Sequence, residues 1–325
     1  KEEWLVEESS ALVNLGVILH DADRYQEASK YFREALEIAT KLAEADPENR
    51  EMQWSMAQNH AWLADAMKGS WDFIGAMEER QKELSIYDGV LAIDDRDARA
   101  LEGGVVALMD IANLYVITGQ YVLAEEASRS SLEQIGQLIA EDPSNQLWQD
   151  LESAASNRHV EALMMRGKWE DAHQLNRLVL SRAAALVAAD PTVMYWKAGR
   201  LMNARWMEIA IDFALGQTGE AREKVLRFHR EFGTDPDLPR DASRTAWSMV
   251  FAMDALDHRS AGDVQTAAAR IEELHSLNPS MPREVLVFRH LQDEPSSTQW
   301  PADRAEQARL IKYDPALILI STTGN

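Results

Sequence analysis

The chain repeats itself every 48 residues, and that step restricts its fold more than any other feature. Ala28, Ala76, Ala124 and Ala172 stand 48 residues apart each time. Each follows a turn signal: Asp23-Arg24-Tyr25, Trp71-Asp72-Phe73, Gly119-Gln120-Tyr121 and Gly167-Lys168-Trp169. Gly16, Ala64 and Ala112 keep the same step, as do Asp46-Pro47, Asp142-Pro143 and Asp190-Pro191, with Asp94-Asp95 in the slot that lacks proline. Three independent markers in one register mean an array of copies.

Each marker has a physical task. Between markers the apolar residues recur at helical spacing, as in Leu108, Ile111, Ala112 and Tyr115, so each copy reads as two helices around one turn. Glycine or a small polar residue lets the chain turn. The aromatic two positions later plugs the wedge between the helices, and the alanines and Gly16 allow close approach. Asp-Pro ends the second helix, because the residue before proline avoids the α region. First helices are predicted near 4–20, 49–69, 97–118, 145–166, 193–215 and 241–260. Second helices are predicted near 24–45, 73–93, 121–141, 169–189, 219–232 and 264–277. Two less regular copies close the series, at Gly216–Ala221 and Gly262–Ala267, separated by the breaker Asp235–Pro239.

The pattern resembles the tetratricopeptide repeat, with its small residue, Gly-x-aromatic-x-x-Ala turn and closing proline. One departure is length. Nineteen residues separate the turn alanine from the proline (Ala28 to Pro47), against twelve in the last copy (Ala267 to Pro279), so the long form has about two more helical turns. The resemblance implies an all-α, right-handed α-solenoid of about six helix-turn-helix repeats with a helical C-terminal cap. Residues 1–234 would hold repeats 1–5, 235–280 a final standard-length repeat and 281–325 the cap. The extended form is similar to arrays in large bacterial signalling proteins.

Composition narrows the rest. The 325 residues contain no cysteine, which removes disulfides, thiolate metal sites and a cysteine nucleophile. Of a net charge of −21, most lies in residues 1–150, with 30 acidic and 12 basic side chains. That sign is wrong for neutralising phosphate, so a nucleic-acid partner is not expected. No run of apolar residues near 18 long is seen, and membrane insertion is not expected. A chain that starts at Lys1 is expected to be part of a longer protein. A cytoplasmic location is the expectation, or a periplasmic one if a membrane segment precedes Lys1.

No catalytic constellation appears. The eight histidines form no His-Glu-x-x-His motif, Gly103-Gly104 lacks a phosphate-loop lysine, and Asp94-Asp95-Arg96-Asp97 lacks the glycine and distal glutamate of a calcium loop. The aspartates are better read as caps in an inter-repeat turn. No metal, cofactor or enzymatic activity is expected. The candidates for partner binding come from the first helices, one residue before or after the packing positions: Asn14, Val17, Trp62, Asp65, Asp110, Asn113, Asn157, Arg158, Glu161 and Trp206. Asp65, Asp110 and Glu161 would set a preference for a basic peptide or protein segment, and Trp62 and Trp206 would supply apolar anchors. The expected function is a non-enzymatic interaction scaffold or sensor region of a bacterial regulatory protein. Homo-oligomeric self-assembly, autoinhibition of an attached effector domain and small-molecule sensing are the alternatives.

Overall fold

The computed structural model describes residues 2–233, and among them every regular element is helical. The helices are α1 (Glu2–Asp21), α2 (Tyr25–Ala45), α3 (Arg50–Gly69), α4 (Phe73–Leu91), α5 (Ala98–Ile117), α6 (Tyr121–Glu141), α7 (Gln146–Met165), α8 (Trp169–Ala189), α9 (Met202–Ala214) and α10 (Thr218–Phe228). π-helical segments occupy Trp196–Leu201 and His229–Gly233. Through α8 every helix begins and ends within two residues of its predicted bounds. The final repeat at 235–280, the cap at 281–325 and the predicted helices beyond 240 lie outside the described residues.

Contacts divide the chain into two compact units, residues 1–115 with 123–148, and residues 116–122 with 149 onward. In the first unit, consecutive helices pack neighbour on neighbour: α1 on α2, α2 on α3, α3 on α4. Its leading core joins Ala28 and Phe32 of α2 to Leu63 and Ala66 of α3, with Val13, Val17 and Leu19 of α1 against them. A β-carbon on Gly16 would fall 2.4 Å from the Phe32 ring, so the small residue in α1 is what admits the ring. In the second unit α8 packs on α9 and α9 on α10 around Val179, Ala183, Ala204, Ile211 and Val225. The fold class is an all-α solenoid of helix pairs.

The turn register is preserved even where its glycine is not. Asp23, Trp71, Gly119, Gly167 and Gly216 all have φ between 58° and 77°. The next residue donates its backbone N–H five residues back, Arg24 to Leu19, Asp72 to Met67, Lys168 to Leu163 and Gln217 to Asp212, at 2.8–3.0 Å. This bond satisfies a helix-end carbonyl and needs a left-handed residue at the bend. The nearest atom to a β-carbon on Gly167 is Trp169 Nε1 at 3.8 Å, so a methyl group has room there. Gly167→Ala is nevertheless expected to cost about 1–2 kcal/mol by urea unfolding, because the penalty is conformational.

Caps close the other ends. Asn49 accepts from Met52 N, Asp72 from Gly75 N and Asp97 from Ala100 N. The aspartate cluster at 94–97 therefore starts α5, and Arg50 bridges Asp94 and Asp97 at 3.3 and 2.7 Å. Asp142 and Asp190 accept from the hydroxyls of Ser144 and Thr192 in the Asp-Pro turns, which holds both carboxyls below their ordinary range.

One step in the lattice is longer. From Gly167 to Gly216 is 49 residues, not 48. A π-helical turn bonds residue i to i+5 and so takes up one extra residue. The segment Trp196–Leu201 does this immediately before α9, and its Arg200 forms two bonds of 2.8 and 2.9 Å to Asp150 of α7. Everything in α9 is shifted one position against the lattice.

α5 corrects one expectation. Among the described residues it is long and apolar enough to cross a membrane, which the sequence reading did not anticipate. Two thirds of its apolar stretch (67%) is buried inside the fold, as in the core helix of a helical array.

Candidate functional site

In the first unit a groove of about 350 Å³ runs between α1 and α3. Val6, Ser9, Ser10, Val13 and Asn14 line it from α1, and Met52, Ser55, Gln58, Asn59 and Trp62 from α3, with Leu42 of α2 also on its wall. Period 3.6 brings these residues to one face of each helix. Trp62 is half-buried and stacks on Phe32, with ring centroids 5.8 Å apart and planes 15° off parallel. Asn59 is 3% exposed; its Nδ2 donates to Ser55 O at 2.7 Å, while its Oδ1 has no partner among the described residues. An unpaired buried acceptor costs on the order of 1–3 kcal/mol, which a ligand N–H would recover. Glu51 is the one charged lining residue, and Arg99 pairs with it at 3.1 Å.

A second polar assembly lies between α3, α4 and α5. Arg80 of α4 is 3% exposed and bonds Glu83 at 2.7 Å, Asp65 at 2.9 Å and Asp110 at 2.8 Å. Lys68 reaches Asp65 at 2.9 Å and Asp110 at 3.5 Å. The repeat register explains the location. Arg80 and Glu83 stand 48 residues after Phe32 and Ala35, at positions the first copy fills with apolar side chains. The same positions hold Ser128 and Ser131, then Asn176 and Val179, all buried.

Three acids against two cations leave one negative charge in excess. Burial pushes the Glu83 carboxyl up to about 7 against the pull of Arg80, with a smaller repulsion from Asp110 and Asp65 acting in the same direction as burial. Asp65 is half-buried, which pushes its carboxyl up, but Arg80 and Lys68 together hold it below the usual carboxylate range. The three acids in turn raise the Arg80 guanidinium above its ordinary value in spite of its burial. Glu83 is thus the acid that carries the proton below neutrality, which closes the cluster at zero charge. A carboxyl raised from 4.5 to about 7 contributes stability that is complete below pH 4.5 and lost as pH rises through 7. Melting curves between pH 5 and 8 are expected to fall with pH, and Glu83→Gln to flatten that fall and gain about 1–3 kcal/mol relative to wild type at pH 8.

The sequence-selected residues divide accordingly. Asn14 and Trp62 meet in the α1/α3 groove. Asp65 and Asp110 meet each other through Arg80, so their charge is held internally and not displayed. Val17 is half-buried in the leading core, and Asn113 is 7% exposed. In the second unit Asn157 is 6% exposed with neither amide atom bonded among the described residues, and Arg158 pairs with Glu161. Trp206 was expected in the groove register, but it is 7% exposed in the core with Met207 and Ile209. The extra residue of the π segment is the reason. It moves Trp206 from the lattice position of Trp62 to that of Val13, a packing position.

Sequence reasoning missed Ser9, Ser55, Asn59, Lys68 and Arg80. A signal existed for Arg80 alone, a cation at the 48-residue image of Phe32.

The tetratricopeptide-repeat family matches residues 9–48. No curated protein sequence matches the chain. Among solved structures, BtubC (BKLC) from P. vanneervenii is similar at 15% identity and a TM-score of 0.55, covering 79% of this chain and 92% of that one. A Rap protein complexed with competence and sporulation factor is similar at 11% identity and a TM-score of 0.50, covering 94% of this chain and 87% of that one. At these identities the likeness is one of fold.

Proposed function

We propose that this chain, a member of the tetratricopeptide-repeat family, is a non-enzymatic interaction scaffold that holds a peptide or protein segment in the α1/α3 groove. The observation that carries this reading is the groove itself: a half-buried tryptophan wall beside a buried, unpaired amide oxygen, Asn59 Oδ1. Aromatic walls supply contact area, and a buried acceptor selects a ligand that brings an N–H. The Rap protein that shares the fold was solved with a factor bound, which fits a binding role for the architecture.

The groove's own lining is nearly neutral, because its one charged residue, Glu51, is matched by Arg99. Specificity in the groove then rests on shape and amide hydrogen bonds. The acidic excess of the first 150 residues adds a long-range pull on basic partners, one that salt screens. A place in a bacterial regulatory protein, next to an effector domain, is the setting the extended repeat suggests.

Panning a displayed random-peptide library against the 325-residue chain tests the reading. Selected peptides should carry an apolar anchor, and Trp62→Ala should weaken them about tenfold or more, with Asn59→Leu also reducing affinity. Peptides that bind both variants as tightly as the wild type would remove the groove from consideration.

A further inference from the structure

The α1/α3 groove has a floor and a rim of different chemistry. Three of its lining residues, Ser9, Leu42 and Asn59, are buried and form the floor. Ser10, Asn14, Glu51 and Gln58 are exposed and form the rim. Both polar groups on the floor are acceptors. Ser9 Oγ donates to Ala35 O at 3.3 Å, which leaves its lone pairs to accept. Asn59 Nδ2 donates to Ser55 O at 2.7 Å. That bond also fixes which way the amide points, because a flipped Asn59 would set its oxygen against a carbonyl oxygen. Oδ1 therefore faces away as an acceptor, with no partner among the described residues.

Charge narrows the donor that fits. No lysine, arginine or histidine is among the described residues that line the groove, so a carboxylate or phosphate entering it would lose water without gaining a counter-charge. A cation fares no better. Arg99 reaches both oxygens of Glu51, at 3.2 and 3.1 Å, and lies over the Trp54 ring at 4.1 Å, so the lining acid is engaged at the rim. An ammonium or guanidinium on the floor would meet two neutral oxygens and no acid. A neutral nitrogen remains. A main-chain amide brings one N–H, whereas the NH2 of a side-chain amide brings two, one for each floor acceptor, on an apolar stem that suits Leu42.

We propose that the floor of the α1/α3 groove receives the side-chain amide of a glutamine or asparagine, carried by an uncharged internal stretch of a partner polypeptide. The inference rests on the groove being the binding site and adds what that site selects. The long-range pull of the acidic chain then acts on parts of the partner that stay outside the groove.

The probes are four pools of acetylated, amidated octapeptides whose fourth residue is fixed as Gln, Met, Glu or Lys, with the other positions drawn from Leu, Phe, Ala and Ser. Titrated with the full 325-residue chain, the Gln pool is expected to bind about fivefold more tightly than the Met pool, its near-isostere. It should bind at least about tenfold more tightly than the Glu and Lys pools. Asn59→Leu removes an unsatisfied buried oxygen, so the variant should melt no lower than wild type, and the Gln pool should fall to the level of the Met pool. Ser9→Ala removes the other acceptor and should cut the same advantage about threefold. Trp62→Ala separates the two readings. If it weakens every pool, yet Gln binds no better than Met or keeps its advantage in both Asn59→Leu and Ser9→Ala, the amide pocket is overturned and the groove stands. If no pool binds, or Trp62→Ala leaves them all unchanged, the groove reading fails and the amide pocket with it.

Discussion

Arg80→Ala is expected to lower the melting temperature by roughly 10 °C, corresponding to about 3–5 kcal/mol for a partner removed from a buried ionic cluster. The loss exceeds that of a surface ion pair because of what remains. Glu83 is 2% exposed and Asp65 and Asp110 only about a quarter exposed at the side chain, so three acids would share Lys68 as their one cation. The companion variant separates charge from volume. Arg80→Phe with Glu83→Ala copies the Phe32 and Ala35 pair of the first repeat, removes the deepest acid together with its cation, and restores apolar filling. It is expected to lose less than Arg80→Ala alone. A double variant at least as unstable as the single would mean that the cluster's geometry, and not its charge balance, holds α4 between α3 and α5.

Phe32→Ala is expected to cost about 3–5 kcal/mol, read as a shift in the urea midpoint at constant slope. Phe32 is 0% exposed, lies on the bare backbone of Gly16 and forms the stacking surface for Trp62. Removing the ring opens a cavity that neighbouring helices fill only in part. It also frees the groove's tryptophan from its stack, so peptide affinity should fall even under conditions where the variant remains folded. Binding that survives unchanged in folded Phe32→Ala would show that the orientation of Trp62 does not matter to the ligand.

The helices were legible because their markers are local. A left-handed turn, a wedge aromatic and an Asp-Pro stop each act within a few residues, and a fixed step carries them to the next copy. The step even located the turns at Asp23 and Trp71, where the residue type alone would not, since both adopt the left-handed conformation without glycine. The site was legible only in part. Asn14 and Trp62 were placed by register, and register holds as long as the step does. It fails at Trp206, because the π segment inserts one residue that has no compositional signature. Pairing is a different kind of information. Asp65 and Asp110 read as displayed charge because the sequence shows their helix face but not Arg80, which reaches both from the following or preceding helix. Arg80 occupies a position whose counterparts are Phe32, Ser128 and Asn176, so no single residue type marked it as core. Asn59 gave no signal, since its importance comes from an oxygen left unbonded, which only a structure shows.

Amide hydrogen exchange of the 325-residue chain, with and without a library-selected peptide, tests the central claim most directly. If the α1/α3 groove holds the ligand, added protection should fall on Val6–Asn14 and Glu51–Trp62, and Trp62→Ala should abolish it in both segments. Protection confined to other helices, with these two unchanged, would contradict the assignment.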